Sequence, residues 1–304
     1  MRLTDCKPGR YVAQTVCALA LGIGLAAPAD AAALRTGFEM RAGASWTTLA
    51  EEAAFLARLD AQSGRLRTAV IGRSAGGRPI VLAIVGPPRT DAQIKAGSAA
   101  LFVCTQHGTE PAGREACLQR IRDLALGQST QTVLFIPTAN PDGVAATTRE
   151  NAAGIDINTT HLTLSTPEAR AIASVLAGYR PDVLNDLHEY RAPGAHLVLT
   201  RNDATYGQDI APEIRAFGLH LRYRYQEPAI AAGGYATGPY PGPVVGVTLT
   251  RAASRKRIVS ALTETPRAGT LSPAQRVDAQ RRSIDGTLRM LAARAADLAR
   301  VSAG

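Results

Sequence analysis

Short apolar runs alternate with helix-patterned stretches along this chain, and that alternation limits its possible folds more than any other feature. The segment "SWTTLAEEAAFLARLDAQSG" has apolar positions at helical spacing, and "LRTAVIGRSAGGRPIVLAIVG" reads as two strands joined by a Gly-rich turn. Strand-like runs follow at Ala99 to Cys104, Thr132 to Pro137, Asp182 to Leu187, His196 to Thr200 and Ile258 to Thr263. Helix patterns fall at Pro111 to Leu126, Pro167 to Tyr179, Asp209 to Phe217 and Ser272 to Val301. Two of these starts carry their own signals. Thr166-Pro167-Glu168 supplies a cap, a first-turn proline and an acid, and Ser272-Pro273-Ala274-Gln275 is a capping box. The last helix has Leu288, Leu291, Ala295 and Leu298 on one side. Such alternation predicts an α/β fold, a three-layer α/β/α sandwich around a mixed, largely parallel sheet. The Gly/Pro-rich stretch from Ala231 to Gly246 reads as one long irregular loop, and such loops are commonly functional.

The first residues read as an address. Arg2, Lys7 and Arg10 precede the apolar run "YVAQTVCALALGIGLAAP", and Ala29-Asp30-Ala31 supplies an A-x-A cleavage pattern. The run is too short for a membrane span of about 20 residues. Residues 1–31 are therefore expected to be a signal peptide and 32–304 one domain, exported to the periplasm or secreted, with no stable membrane anchor after cleavage. Cleavage removes Cys6 and Cys17, leaving Cys104 and Cys117, which are expected to be free thiols in the core. No Cys pattern suits a structural zinc, so any metal must be held by His and carboxylate.

The formal charge of +9 falls to +8 on cleavage, because three basic and two acidic residues leave. With aromatics at 5% and basic residues scattered except at "RAASRKR", the composition does not describe a nucleic-acid binder. Most of these charges read as a solvated basic face; where an exported basic protein has a partner, cell-wall polymers or acidic peptides are expected, with a peptide or cell-wall peptide as substrate.

Only five histidines are present: His107, His161, His188, His196 and His220. His107 follows a strand and Glu110 opens a helix with Pro111 at its first position. The two side chains can therefore turn to one side at a strand's C-terminal end, where open α/β sheets bind ligands. "DVLNDLHEY" brings His188 to the end of another strand. His107, Glu110 and His188 would form a His₂Glu set with one open position, the coordination of a catalytic zinc. Taken alone, the H-x-x-E spacing is equally compatible with a polar loop. Asp186, two residues before His188, faces the same side and is either an orienting partner or a capped strand end.

The chain resembles the zinc carboxypeptidase family, the carboxypeptidase A-like metallopeptidases, in a compact bacterial exported form. The motifs occur in the family's order: "IGRSAGGRPI", "QHGTEPAGREA", "PTANPDGV", "RENAAGIDIN", "DLHEY" and "IVSALTETPRAG". The resemblance implies that 32–304 is the catalytic domain and that it holds one Zn²⁺ per chain on His107, Glu110 and His188. Glu264 would be the general base toward a zinc-activated water, and Arg149 the cation facing the carbonyl oxygen. Asn158 would belong to the substrate-carboxylate site. The family's mobile tyrosine is best matched by Tyr240, with Tyr235 the other choice. Read without the resemblance, Arg149 would be an ion-pair partner of Glu150, Asn158 a turn residue, and Glu264 a carboxylate in the turn ending its strand.

The sequence departs from the family at Thr159, where an arginine usually follows the asparagine, and Thr160 replaces an acidic residue. The cation that would grip a terminal carboxylate in two-point fashion is missing there. Either Arg251 or Arg191 would supply it instead, or both are surface arginines. The leading expectation is a metallopeptidase cleaving peptide bonds. The short spacing between Glu110 and His188 keeps open a zinc deacylase of the aspartoacylase or succinylglutamate desuccinylase type. The loss at Thr159 also keeps open a catalytically weak binding protein.

Overall fold

Eight strands line up in the order β1-β2-β4-β3-β5-β8-β6-β7. Their bounds are β1 Leu66–Arg73, β2 Pro79–Val85, β3 Ala99–Cys104, β4 Thr132–Ile136, β5 Val183–Tyr190, β6 Val198–Thr200, β7 Thr237–Pro239 and β8 Val259–Pro266. The helices are α1 Gly37–Met40, α2 Leu49–Gln62, α3 Asp91–Ala96, α4 Pro111–Leu126, α5 Pro141–Ala146, α6 Pro167–Tyr179, α7 Pro212–Leu221, α8 Glu227–Ala231, α9 Leu249–Arg255 and α10 Pro273–Ala303. This computed structural model describes residues 34–201, 209–241 and 247–303, so the expected signal peptide lies outside the described residues.

The sheet is mixed, as expected. Its centre, β4-β3-β5-β8, is parallel, whereas β1 with β2, β2 with β4 and β6 with β8 are antiparallel. The run "AALFVC" is buried along its whole length because helices cover both faces. Ala100, Phe102 and Cys104 point into the layer with α2, α4 and α10. Ala99, Leu101 and Val103 point into the layer with α6 and α9. Phe102 stacks on Phe135 of β4 at 5.1 Å. Burying each ring stabilises the sheet centre by roughly 1.5–3 kcal/mol.

The structure departs from the sequence reading in four places. First, β5 and β8 both run past their apolar residues, and they pair in register so that His188 faces Glu264 and Tyr190 faces Pro266. Glu264 is thus a strand residue rather than a turn carboxylate, because the ladder supplies backbone partners that the apolar pattern alone does not reveal. Second, the Gly/Pro stretch is not wholly irregular: Thr237–Pro239 pairs with β6 as the edge strand, while residues 242–246 lie outside the described ones. Third, Cys104 at the end of β3 and Cys117 in α4 are joined as a disulfide, correcting the expectation of free thiols. The helix following β3 folds back onto that strand's face and brings both side chains into the same core layer. Fourth, α10 kinks at Arg294, where φ is −130°.

The short helices α3, α5 and α9 escaped the periodicity reading because a six- or seven-residue segment has too few apolar positions to show a period.

Candidate active site

The site lies at the C-terminal ends of β3, β5 and β8. Thr105, directly after β3, lies in the left-handed region, φ 54°, which costs roughly 1 kcal/mol for a residue with a Cβ. That turn swings Gln106 and His107 out of the sheet line. Gly108 is required directly afterwards: a Cβ there would collide with the Gly143 carbonyl. Pro111 then starts α4, leaving Glu110 as its N-cap residue. Gly113 lets the first turn of α4 sit against β5, since a Cβ would fall 2.8 Å from the Leu187 side chain.

The sequence motifs interlock physically. Asn140 caps α5 through the Gly143 N–H at 2.9 Å and donates to the carbonyls of Gln106 and Arg149 at 3.1 and 3.3 Å. One amide therefore fixes the loop that carries His107 relative to the loop that carries Arg149. Asp142 accepts from the Ser74 hydroxyl, the Gly76 N–H and Arg78 at 2.7–2.8 Å, tying the β1–β2 hairpin to the same segment. Asn151 donates to Glu168, whose other oxygen accepts from the Ala75 N–H.

His107, Glu110 and His188 converge as a buried triad whose ligand atoms all lie within 4.8 Å of one another. Glu110 Oε1 sits 2.9 Å from His107 Nδ1, and its Oε2 sits 2.9 Å from His188 Nδ1. The outer nitrogens are held by carboxylates: His107 Nε2 meets Asp156 at 3.1 Å, and His188 Nε2 meets Asp186 at 3.0 Å. Imidazoles oriented by carboxylates, with Nδ1 atoms turned inward beside a carboxylate, form a donor set that suits zinc. Burial opposes charge on Glu110, but the two imidazoles hold its carboxyl well below the usual range. Asp156 is also held low; burial opposes this, and His107 and Arg149 outweigh it.

Behind the triad, Gln106 donates to both Asp186 oxygens at 2.9 and 2.8 Å and accepts from His161 Nε2 at 2.6 Å. His161 is buried, and burial lowers its pKa to about 4. Asp156, Gln106 and His161 were not named as site residues from sequence. The Gly-x-Asp-x-Asn spacing placed Asp156 two residues from Asn158 and was the one available signal.

A cleft of about 410 Å³ opens over the triad. Glu264 borders it, and burial raises its pKa to about 7. Arg149 lines it with a half-exposed side chain, paired with Asp156 at 3.0 Å and 3.4 Å from Glu110, not with Glu150. Asn158 also lines it; its Oδ1 accepts from the Leu249 N–H at 3.0 Å and its Nδ2 lies 3.5 Å from His188 Nε2. Tyr240 is brought to the cleft, and burial followed by the charge of Glu264 raises its pKa. Tyr235 is not there, being bonded to Asp278 at 2.9 Å.

Arg251 is also not brought to the cleft. It lies on α9 and pairs with Asp209 at 2.5 Å, because helical spacing turns it away from the face that carries Thr250. Arg191 does line the cleft, as do Arg267 and Arg201. Arg201, passed over in the sequence, is buried after β6 and donates to the Ser260 hydroxyl at 2.6 Å. Nothing local marks it; the antiparallel pairing of β6 with β8 puts it there.

Residues 52–193 match the profile of the zinc carboxypeptidase family. Over 93 residues the chain is 36% identical to carboxypeptidase 2 of Trichophyton rubrum, a segment covering 28% of this chain and 17% of that protein. The structure resembles a metallo-carboxypeptidase from Burkholderia cenocepacia, with TM-score 0.65 and 18% identity over 81% of this chain and 69% of that one. It resembles carboxypeptidase A of Helicoverpa armigera equally, with TM-score 0.65 and 17% identity over 85% of this chain and 74% of that one. Residues 52–193 thus resemble the zinc carboxypeptidases in sequence, and the fold over most of the described length is theirs. The sequence match ends before Tyr240 and Glu264, which join the site through the fold.

Proposed function

We propose that the chain is an exported zinc-dependent peptidase that hydrolyses peptide bonds next to a free C-terminal carboxylate, with short peptides, including cell-wall peptides, as substrates. The observation that carries this reading is the register of β5 against β8, which sets Glu264 opposite His188 beside the His107–Glu110–His188 donor set.

Zinc held there supplies Lewis-acid polarisation of the scissile carbonyl and of the attacking water. The chain's own residues do the rest. Asp156 and Asp186 keep the imidazoles oriented. Glu264 takes a proton from the water and returns it to the leaving amine; a pKa raised to about 7 suits both transfers near neutral pH. Arg149 offers a fixed cation where negative charge develops on the carbonyl oxygen. Tyr240 stands at the cleft wall to assist the leaving group. Asn158 receives the substrate carboxylate, and Arg191 with Arg201 supplies the positive charge that Thr159 cannot.

The test is to purify the chain from Ala32, count bound zinc, and compare release of C-terminal residues with hydrolysis of N-acyl amino acids. The expected result is one zinc per chain and faster turnover of peptides. Preference for N-acyl amino acids would favour the deacylase reading. No zinc uptake at near-stoichiometric supply would eliminate both.

A further inference from the structure

A second cavity, of about 640 Å³, adjoins the catalytic cleft, and Arg267 lines both. Arg267 is anchored at that boundary, with its Nη1 donating to the Thr109 carbonyl at 3.1 Å and its backbone N–H to the Tyr190 carbonyl at 2.8 Å. The two spaces differ in charge. Glu110, Asp156, Asp186, Glu189 and Glu264 line the cleft together with Arg149, Arg191, Arg201 and Arg267. The second cavity is lined by Arg114, Arg267 and Arg276 and by no acidic residue among the described ones.

Those arginines are set, not loose. Arg114 is 2% exposed and donates to the Thr47 carbonyl. Its nearest carboxylate, Glu52, stands 3.7 Å away, too far for a hydrogen bond. Arg276 is 7% exposed, pairs with Glu189 at 2.7 Å, and lies 5.2 Å over the Trp46 ring, which also lines the cavity. Glu52 and Glu189 offset part of the positive charge from behind; neither forms the wall. The Nε of all three arginines and the Nη1 of Arg114 are buried with no hydrogen-bond acceptor among the described residues. Buried donors normally have partners. Those atoms have no exposed surface and do not themselves meet a ligand in the cavity; the three guanidinium groups that line it suit carboxylates by charge and fork geometry.

We propose that this cavity binds an acidic side chain of the peptide substrate. None of Asn158, Tyr240 and Thr250, which line the carboxylate side of the cleft, lines it. The inference rests on the peptidase reading only in assigning the carboxylate to a substrate; the binding itself is independent of hydrolysis.

Trp46 is the only tryptophan in the chain, so its emission reports this cavity. Metal-free protein is titrated with acetyl-Glu-Glu-Ala-Ala and with acetyl-Gln-Gln-Ala-Ala. A saturable change is expected, with the Glu peptide bound about tenfold more tightly and its advantage shrinking at high salt. Ala145, exposed on α5 at the cavity wall, allows a charge test outside the core. Ala145→Glu is expected to weaken the Glu peptide several-fold and leave the Gln peptide unchanged, with the thermal midpoint as the check on folding. Equal affinity for the two peptides overturns the proposal, as does an unaltered Glu-peptide affinity in Ala145→Glu, or inorganic phosphate binding as tightly as the Glu peptide. Because no metal or turnover is needed, failure here leaves the zinc count and hydrolysis assays unaffected.

Discussion

The metal side and the substrate side of the cleft are built by different means. On the metal side, His107, Glu110 and His188 come from the ends of adjacent parallel strands, and each polar atom has a fixed partner in Asp156, Asp186 or Gln106. On the substrate side, Tyr240 and Arg201 flank segments at the edge of the sheet, and Thr159 uses its hydroxyl on the Asp156 carbonyl at 2.7 Å. On the proposed function, the comparison teaches that the chemistry would be anchored in the sheet centre, with recognition left to edges and loops where residues can change without disturbing the core.

The sharpest way to break this contrast is at the boundary residue, Glu264. Glu264→Gln keeps the shape and the neighbouring triad, so zinc content should hold while kcat falls roughly 10²- to 10⁴-fold. Loss of zinc together with activity would instead make Glu264 part of the metal side.

A smaller effect tests how firmly the metal side is locked. His161 has its pKa lowered to about 4, against 6.5 unfolded, so the unfolded chain takes up a proton that the folded chain refuses over that range. Stability of the metal-free protein should therefore decline as pH falls from about 6.5 to 4, with His161 contributing on the order of 2–3 kcal/mol of that loss. His161→Gln retains a donor to Gln106 and removes the titration, so its pH profile, followed by urea unfolding, should be flatter by that amount. Parallel profiles for the two proteins would show that the histidine is not held neutral.

The smallest effect belongs to the substrate side. Thr159→Arg places a cation beside Asn158 and should lower KM for peptides with free C-termini by about three- to tenfold relative to C-terminal amides. An unchanged ratio would mean that Arg191 and Arg201 already meet the carboxylate.

Much of the metal side was legible in the sequence. H-x-x-E after a buried strand, a second histidine ending another strand and Asp186 two residues before it are local patterns with local physical meaning. Asp156 was half legible, because its side chain acts on His107, 49 residues away, through a turn whose course the spacing does not give. The substrate side was poorly legible. Arg251 and Arg201 both lie outside the recognisable motifs, and no periodicity distinguishes the one tied to Asp209 on α9 from the one lining the cleft.

By itself, the sequence determined the alternating α/β architecture, because apolar periodicity decides which residues must leave water. It also determined the donor types available for a metal, since five histidines and the carboxylates beside them admit few triads. Only the tertiary structure decided that Glu264 lies in a strand opposite His188, that Cys104 meets Cys117, and that Arg114 lines one cavity with Arg267 and Arg276. Those outcomes depend on strand register and on how helices pack back onto the sheet, which are long-range contacts that no window of neighbouring residues encodes.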